Sequence, residues 1–261
     1  MDYAAFEPLI GADWGNRLRG FIESPLCDEI YAYLKKKSSE GRVICPSFDD
    51  TWRAFKETPY EELRVILVMQ DPYPWKKDGR YVADGMALSC GNTGVPQPSL
   101  DLFYDGLQND LPEYGSKDFI RKADLSYLCN QGVMMLNSSL TVELNKPNSH
   151  SNLRIGDKKT RLWEPFMKWF FEEVIGTSQG LVIVFAGKES AYYERFIYPH
   201  QHYILKCEHP ASAAHQERAW DTISIFKTID RILWENNKFK INWMSKRKRY
   251  EQTENGSARR A

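Results

Sequence analysis

Four stretches of the 261-residue chain place chemically capable side chains after short apolar runs. Gln70-Asp71-Pro72-Tyr73 follows residues 65–69 (VILVM), and Asn137-Ser138-Ser139 follows residues 133–136 (VMML). Gly187-Lys188 follows residues 181–186 (LVIVFA), and His209-Pro210 comes soon after residues 203–205 (YIL). An aspartate fixed in a Pro-Tyr turn can act as a base toward water or as a fixed anion beside a developing cation. An asparagine offers one acceptor and two donors, which suits the hydrogen-bonding edge of a nucleobase. A histidine can donate to an oxygen that becomes negative as a leaving group departs. The three together fit hydrolysis of a glycosidic or acyl bond. Singly, each also reads as a turn starter, a cap or a strand terminator. Their recurrence at three of four run ends weakens that plainer explanation.

Such residues converge only if the runs are strands of one sheet. Each run is nearly continuously apolar, the pattern of a strand buried on both faces of a parallel sheet. Between them lie helical periodicities over residues 99–111, where Ser99 is placed to cap, and over residues 160–174 and 218–234. Alternating strand and helix predicts a single α/β domain over residues 1–244, with a central four-stranded, mostly parallel sheet flanked by helices. Ligands of such sheets bind at the carboxyl ends of the strands, where Asp71, Asn137 and His209 would meet.

Composition narrows the classes further. The 35 basic and 35 acidic residues cancel, which excludes a histone-like polyanion binder, and 42% hydrophobic content excludes a disordered chain. Zero hides a split, because residues 245–261 hold six basic and two acidic residues, net +4, over a body of net −4. The segment 245–261 has almost nothing apolar to bury and reads as a disordered basic tail. Five cysteines, odd in number and without CxxC spacing, suggest neither a disulfide framework nor a zinc ribbon, so a reducing compartment is expected. No leader pattern follows Met1 and no apolar run is long enough for a bilayer. The expectation is a soluble, cytoplasmic protein, nuclear if eukaryotic, and not secreted.

Other chemistries find little support. GxGxxG and GxSxG are missing, and Gly187-Lys188 lacks the upstream spacing of a phosphate-binding loop. His200, His202, Cys207 and His209 look like a metal cluster, but along a strand His202 and Cys207 would lie ~16 Å apart. No metal is expected.

Three motifs carry a resemblance: QDPY at residues 70–73, GVMMLNSSLTV at 132–142, and EHPAS at 208–212. In identity, order and spacing they resemble the family 1 uracil-DNA glycosylases. Pro98-Ser99-Leu100, Ser149-His150, Trp163 and Ile241-Asn242-Trp243 add to it, over roughly residues 45–244. The resemblance implies an enzyme, most simply a monomer, that flips a deoxynucleotide out of DNA and hydrolyses the bond between base and sugar without metal or cofactor. It implies that Asp71 orients water and stabilises an oxocarbenium-like sugar, and that neutral His209 hydrogen-bonds the pyrimidine O2. It further implies that Asn137 reads the base edge, Tyr73 excludes thymine at C5, Gln70 lines the pocket, and Ser99 and Ser212 grip phosphates.

Departures from the family divide the possible substrates. Pro74 and Trp75 stand where the family continues with His, and eleven residues separate Tyr73 from Gly85, against about seven. Leu88 replaces the family's stacking Phe, a platform worth ~1 to 3 kcal/mol, for which Trp75 in the longer loop is a candidate substitute. Ala213 aligns near the family's intercalating Leu. Uracil is the first expectation because Tyr73 is in place. A hypermodified pyrimidine, such as a modified cytosine of phage DNA, is the second, and a non-catalytic DNA- or partner-binding module the third. Lys76, Lys77, Arg80, Lys188 and Arg218 are the candidate phosphate contacts.

Overall fold

The computed structural model describes residues 3–155 and 158–247. Val65–Met69 (β1), Val133–Asn137 (β2), Val182–Ala186 (β3) and Tyr203–Cys207 (β4) form one sheet in the order β4-β3-β1-β2. Every pairing is parallel, with Val65 opposite Val133 and Val182 opposite both Val65 and Tyr203. All five positions of β1, β2 and β3 are buried, so their unbroken apolar runs are what a sheet covered on both faces requires.

β4 differs from the expectation for residues 203–205. It is the edge strand, with Tyr203 and Lys206 exposed and Ile204 and Leu205 only half-buried. Lys206 pairs with Glu194 beside it, and a charged side chain of this kind discourages another strand from adding to the edge.

Three helices, Tyr3–Ile10 (α1), Ala12–Ile22 (α2) and Pro25–Ser39 (α3), join the same core. The Trp14 indole donates to the Thr58 carbonyl, and Trp52 meets Phe166 edge-on at 5.0 Å. Pro98–Asp110 (α4) begins one residue before Ser99, with Gln97 at the cap position and no side-chain cap bond, so Ser99 is inside the helix. The helix expected over 160–174 starts only at Glu164, the residue before Pro165, whose missing N–H suits a first turn. This helix, Glu164–Trp169 (α5), runs into a π turn, Phe170–Val174, while Lys158–Thr160 pairs with Leu153–Ile155 as a hairpin.

Pro210–His215 (α6) follows β4. The helix expected over 218–234 is Ile225–Asn237 (α7), because Ile223 and Ser224 both adopt positive φ, 54° and 56°, and interrupt any earlier turn. The boundary placed at residue 244 moves outward. Ser245–Lys246 pairs antiparallel with Phe119–Ile120, and the Arg247 N–H donates to the Asp118 carbonyl. The remainder of the basic tail, residues 248–261, lies outside the described residues. Among the described residues no helix is long and apolar enough to cross a membrane. All five cysteines are free and buried.

Candidate active site

The chain leaves β1 for β2 on one side and passes through β3 to β4 on the other. The carboxyl ends of β1 and β3 therefore mark the switch point of the sheet, the place at which ligands of open α/β sheets bind. Asp71 follows β1 there, and Gly187 follows β3.

Asn137 is the last residue of β2, opposite Met69, rather than part of the turn beyond it. The next residues lock the two strand ends together. Ser138 N–H donates to the Met69 carbonyl (2.9 Å), while the Ser139 N–H (3.0 Å) and Ser138 hydroxyl (3.1 Å) donate to that of Gln70. Asn137 is 3% exposed, and its Oδ1 has no protein partner. A buried carboxamide oxygen without a bond costs about 1 to 3 kcal/mol, which a ligand donor would recover.

Asp71 is held by loop 141–151. Its Oδ2 accepts the Asn148 N–H, and its Oδ1 has no partner. Burial pushes its pKa up to about 6, opposed by the nearby Ser151 hydroxyl and the Asn148 N–H, and reinforced by the Glu189 charge. The loop owes its shape to the residues that supported the family resemblance. Ser149 Oγ accepts the Glu143 N–H at 2.8 Å, while Thr141 Oγ1 accepts the Trp163 indole N–H at 2.7 Å and lies 2.8 Å from His150 Nδ1. Burial pushes the His150 pKa down to about 4, which keeps that imidazole neutral.

His209 packs against the end of β3 at Gly187. A Cβ at Gly187 would lie 2.9 Å from His209 Cβ, and Gly187 has φ +88°, so only glycine leaves room. Ahead of His209, Glu208 is pinned twice, by the Arg218 guanidinium on its carboxylate and the Trp220 indole on its carbonyl (2.8 Å). Arg218, a candidate phosphate contact from sequence, is bonded to Glu208 within this loop. His209 Nδ1 accepts the Ala211 N–H at 3.0 Å, and burial pushes the pKa down to about 4. The imidazole is neutral, with its single proton on Nε2.

Tyr73 is fixed through its hydroxyl. Its hydroxyl lies 2.8 Å from Ser99 Oγ and donates to the Leu88 carbonyl at 3.3 Å. Leu88 is buried with φ +62°, at the end of a segment braced by Asp84, which accepts from Arg53, Ser89, Met86 and Gly91. Ala87 N–H also donates to the Met135 carbonyl, docking the segment against β2.

The enlarged loop is a two-residue hairpin, Lys76–Lys77 against Arg80–Tyr81, turned by Asp78 and Gly79 at φ +50° and +76°. Trp75 at its base is 39% exposed, its ring 5.6 Å from Tyr73 and its indole N–H on Gln97 Oε1 at 3.0 Å. It leans on Tyr73 at the rim.

Ser99, Ser212 and Ala213 lie on the helices beside the site. Ser99 is buried, with its hydroxyl on Tyr73, and offers a phosphate only the N–H groups of the first turn of α4. Ala213 is 0% exposed inside α6 and presents nothing to a DNA duplex. Ser212 is half-buried beside it, with its N–H on the His209 carbonyl. Sequence reasoning missed Asn148, Ser151 and the Ala211 N–H. Only Asn148 carried a signal, since asparagine is one of the few residues at ease at its φ of +65°. Among the described residues no group of three or more His, Cys, Asp or Glu side chains could hold a metal ion.

A parallel sheet with a carboxylate, a carboxamide and a neutral imidazole donor on one rim defines an α/β protein with a hydrolytic site for a planar, polar ring. No protein-family model matches the chain. A Coxiella burnetii (strain CbuG_Q212) protein named uracil-DNA glycosylase is 32% identical over 237 residues, covering 88% of this chain and 93% of that one. One so named from Proteus mirabilis (strain HI4320) is 29% identical over 235 residues, covering 88% and 95%. Among solved structures, mimivirus uracil-DNA glycosylase superposes with a TM-score of 0.77 at 20% identity, covering 93% of this chain and 89% of that one, a likeness of fold. The chain belongs to the uracil-DNA glycosylase family. The likeness covers more of the chain than the motif-bearing stretch of residues 45–244, and so takes in part of the N-terminal helical region.

Proposed function

We propose that the protein is a DNA glycosylase that removes uracil from DNA and leaves an abasic site. Support for this reading comes from Asp71, Asn137 and His209 at the carboxyl ends of three strands of one parallel sheet, each in a state suited to one part of the reaction. Asn137 Oδ1 is unpaired and buried, ready to accept from the N3–H of a flipped pyrimidine. His209, neutral and with its proton on Nε2, donates to the O2 on which charge collects as the base departs.

In the step proposed, a water oxygen bonds to C1′ while the C1′–N1 bond breaks and its electron pair leaves with the base. Asp71 as carboxylate faces the positive charge on the sugar and takes the water proton. The released uracil anion takes a proton from solvent. Gln70 lines the pocket, Leu88 and Trp75 flank Tyr73, and Tyr73 closes the C5 side. The backbone grip comes from Ser212, the first turn of α4 at Ser99, and the exposed Lys76, Lys77 and Arg80 of the hairpin.

A bulky C5-substituted pyrimidine fits this wall poorly, because the Tyr73 hydroxyl is tied to both Ser99 and Leu88. The test is base release from uracil-containing DNA, normal DNA and DNA with bulky modified pyrimidines, scored as abasic sites. Release from the uracil substrate alone is expected. Release only from the modified substrate would replace uracil as the assignment, and DNA binding without release from any would reduce the protein to a binding module.

A further inference from the structure

Two residues that border the Asp71 carboxylate each carry a buried side-chain oxygen that has no partner. These oxygens are Asn148 Oδ1 and Ser151 Oγ, alongside Asp71 Oδ1 itself. Both residues border the carboxylate, Asn148 through the N–H that bonds Asp71 Oδ2, and Ser151 through a hydroxyl close enough to lower the Asp71 pKa. Pro72 and Pro74, on either side of Tyr73 in the turn that carries Asp71, have no N–H. The N–H bonded to the carboxylate and the hydroxyl beside it both come from loop 141–151.

Orphaned polar atoms in a protein interior are costly, and groups of them are characteristic of a site for a small polar guest. We infer that Asp71 Oδ1, Asn148 Oδ1 and Ser151 Oγ bind one water molecule, the nucleophile of the reaction, and that Asn148 and Ser151 are catalytic residues that aim it. The inference rests on the glycosylase reading above.

The hydrogen-bonding capacity balances. Water has two hydrogens and two lone pairs. One hydrogen goes to Asp71 Oδ1 and the other to Asn148 Oδ1, while the Ser151 hydroxyl donates to one lone pair. The second lone pair is left for C1′. When the O–C1′ bond forms and C1′–N1 breaks, the proton on the Asp71 side passes to the carboxylate, and nothing else needs to be supplied. Asn148 thus serves twice, with its backbone fixing one carboxylate oxygen and its side chain fixing the water shared by the other.

The left-handed backbone at Asn148 permits a clean test. Asn148→Gly tolerates the φ of +65° and keeps the N–H on Asp71, so it removes the carboxamide alone. Ser151→Ala removes the hydroxyl. Each should lower the single-turnover rate of uracil release by about 10²-fold, the usual effect of a misplaced nucleophile, while DNA affinity and KM change less than about twofold. Because both act on one water, the double variant should lose little more than either single variant. Asn148→Asp should move the acid limb of the pH–rate profile upward, since a second carboxylate raises the pKa of the first.

Wild-type single-turnover rates in both Asn148→Gly and Ser151→Ala, with unchanged melting temperatures, would overturn the inference. So would losses confined to KM. An inactive wild-type protein would instead strike the glycosylase reading itself, so the two failures are distinguishable.

Discussion

The Ala211 N–H donates to His209 Nδ1 at 3.0 Å, and that one bond decides which imidazole nitrogen carries the proton. An Nδ1 that accepts cannot be protonated, so Nε2 is the donor, and burial keeps the ring neutral down to a pH of about 4. Asp71, by contrast, is pushed up to about 6 by the same burial. His209 must be neutral and Asp71 ionised for the chemistry proposed. On rising pH the His209 condition is met first, near 4, and the Asp71 condition second, near 6. The single-turnover rate should therefore climb about tenfold per pH unit below 6 and flatten above it, with one acid limb assigned to Asp71. A limb that persisted in His209→Gln would agree, whereas one that vanished in that variant would assign it to the imidazole.

Asp71 should also reduce stability at neutral pH. Its folded pKa of about 6 exceeds its ordinary value of 3.8, so the folded state holds the proton more tightly than the unfolded chain. The stability associated with that proton is complete below 3.8 and lost as the pH rises through about 6. Asp71→Asn keeps an oxygen for the Asn148 N–H and cannot ionise. It should be more stable than the wild type at pH 7, by up to about 3 kcal/mol, with the gap closing by pH 4. Its base release should fall by orders of magnitude with DNA binding nearly intact. Paired thermal melts at the two pH values check the first statement, and an unchanged gap between them would contradict it.

In the function proposed, Tyr73 excludes C5 substituents only as firmly as its hydroxyl is held. Ser99 Oγ at 2.8 Å is its shorter contact, so Ser99 contributes to specificity through Tyr73. Tyr73→Ala should admit thymine, and Ser99→Ala should raise thymine release by a smaller factor while sparing uracil release within about threefold, a neutral hydrogen bond being worth about 1 kcal/mol. Competition assays on U:A and T:A duplexes would measure both. Identical selectivity in Ser99→Ala and wild type would show that the Leu88 carbonyl alone suffices.

The architecture was legible where burial is complete. The runs at 65–69, 133–136 and 181–186 are apolar throughout because both faces of β1, β2 and β3 are covered. β4 reads like them for three residues, but an edge position depends on what fails to pair with it, which no local pattern records. Asp71, Asn137 and His209 were legible because strand ends locate the rim. The orientations of Ser99, Arg218 and Ala213 were not legible in the sequence, for a common reason. Each has the right residue type near the right place, and its orientation is set by a partner distant in sequence or by core packing: Tyr73 for Ser99, Glu208 for Arg218, and the core for Ala213. Backbone groups such as the Ala211 N–H leave no trace in residue identity at all.

Gly187 illustrates a requirement that is invisible as chemistry and decisive as space. Its φ of +88° alone disfavours any side chain by roughly 1–2 kcal/mol, and a Cβ would meet His209 Cβ at 2.9 Å, well inside normal contact. His209 cannot yield outward easily, because Glu208 before it is fixed by Arg218 and Trp220, and Ala211 after it holds Nδ1. Gly187→Ala should therefore displace the imidazole and lower the rate of base release by about 10²-fold, the scale on which small misplacements of catalytic groups act. Substrate affinity should change far less, since Asn137 and Tyr73 stand on other elements. A second effect separates displacement from general damage. If the strain breaks the Ala211 bond to Nδ1, the proton is no longer confined to Nε2 and the ring becomes more exposed, so the His209 pKa should rise from about 4 toward its ordinary 6.5. Imidazole titration by NMR in wild type and Gly187→Ala, alongside the rate, tests this. An alanine variant with the wild-type rate and an unmoved histidine pKa would mean that His209 does not depend on the open space at the end of β3.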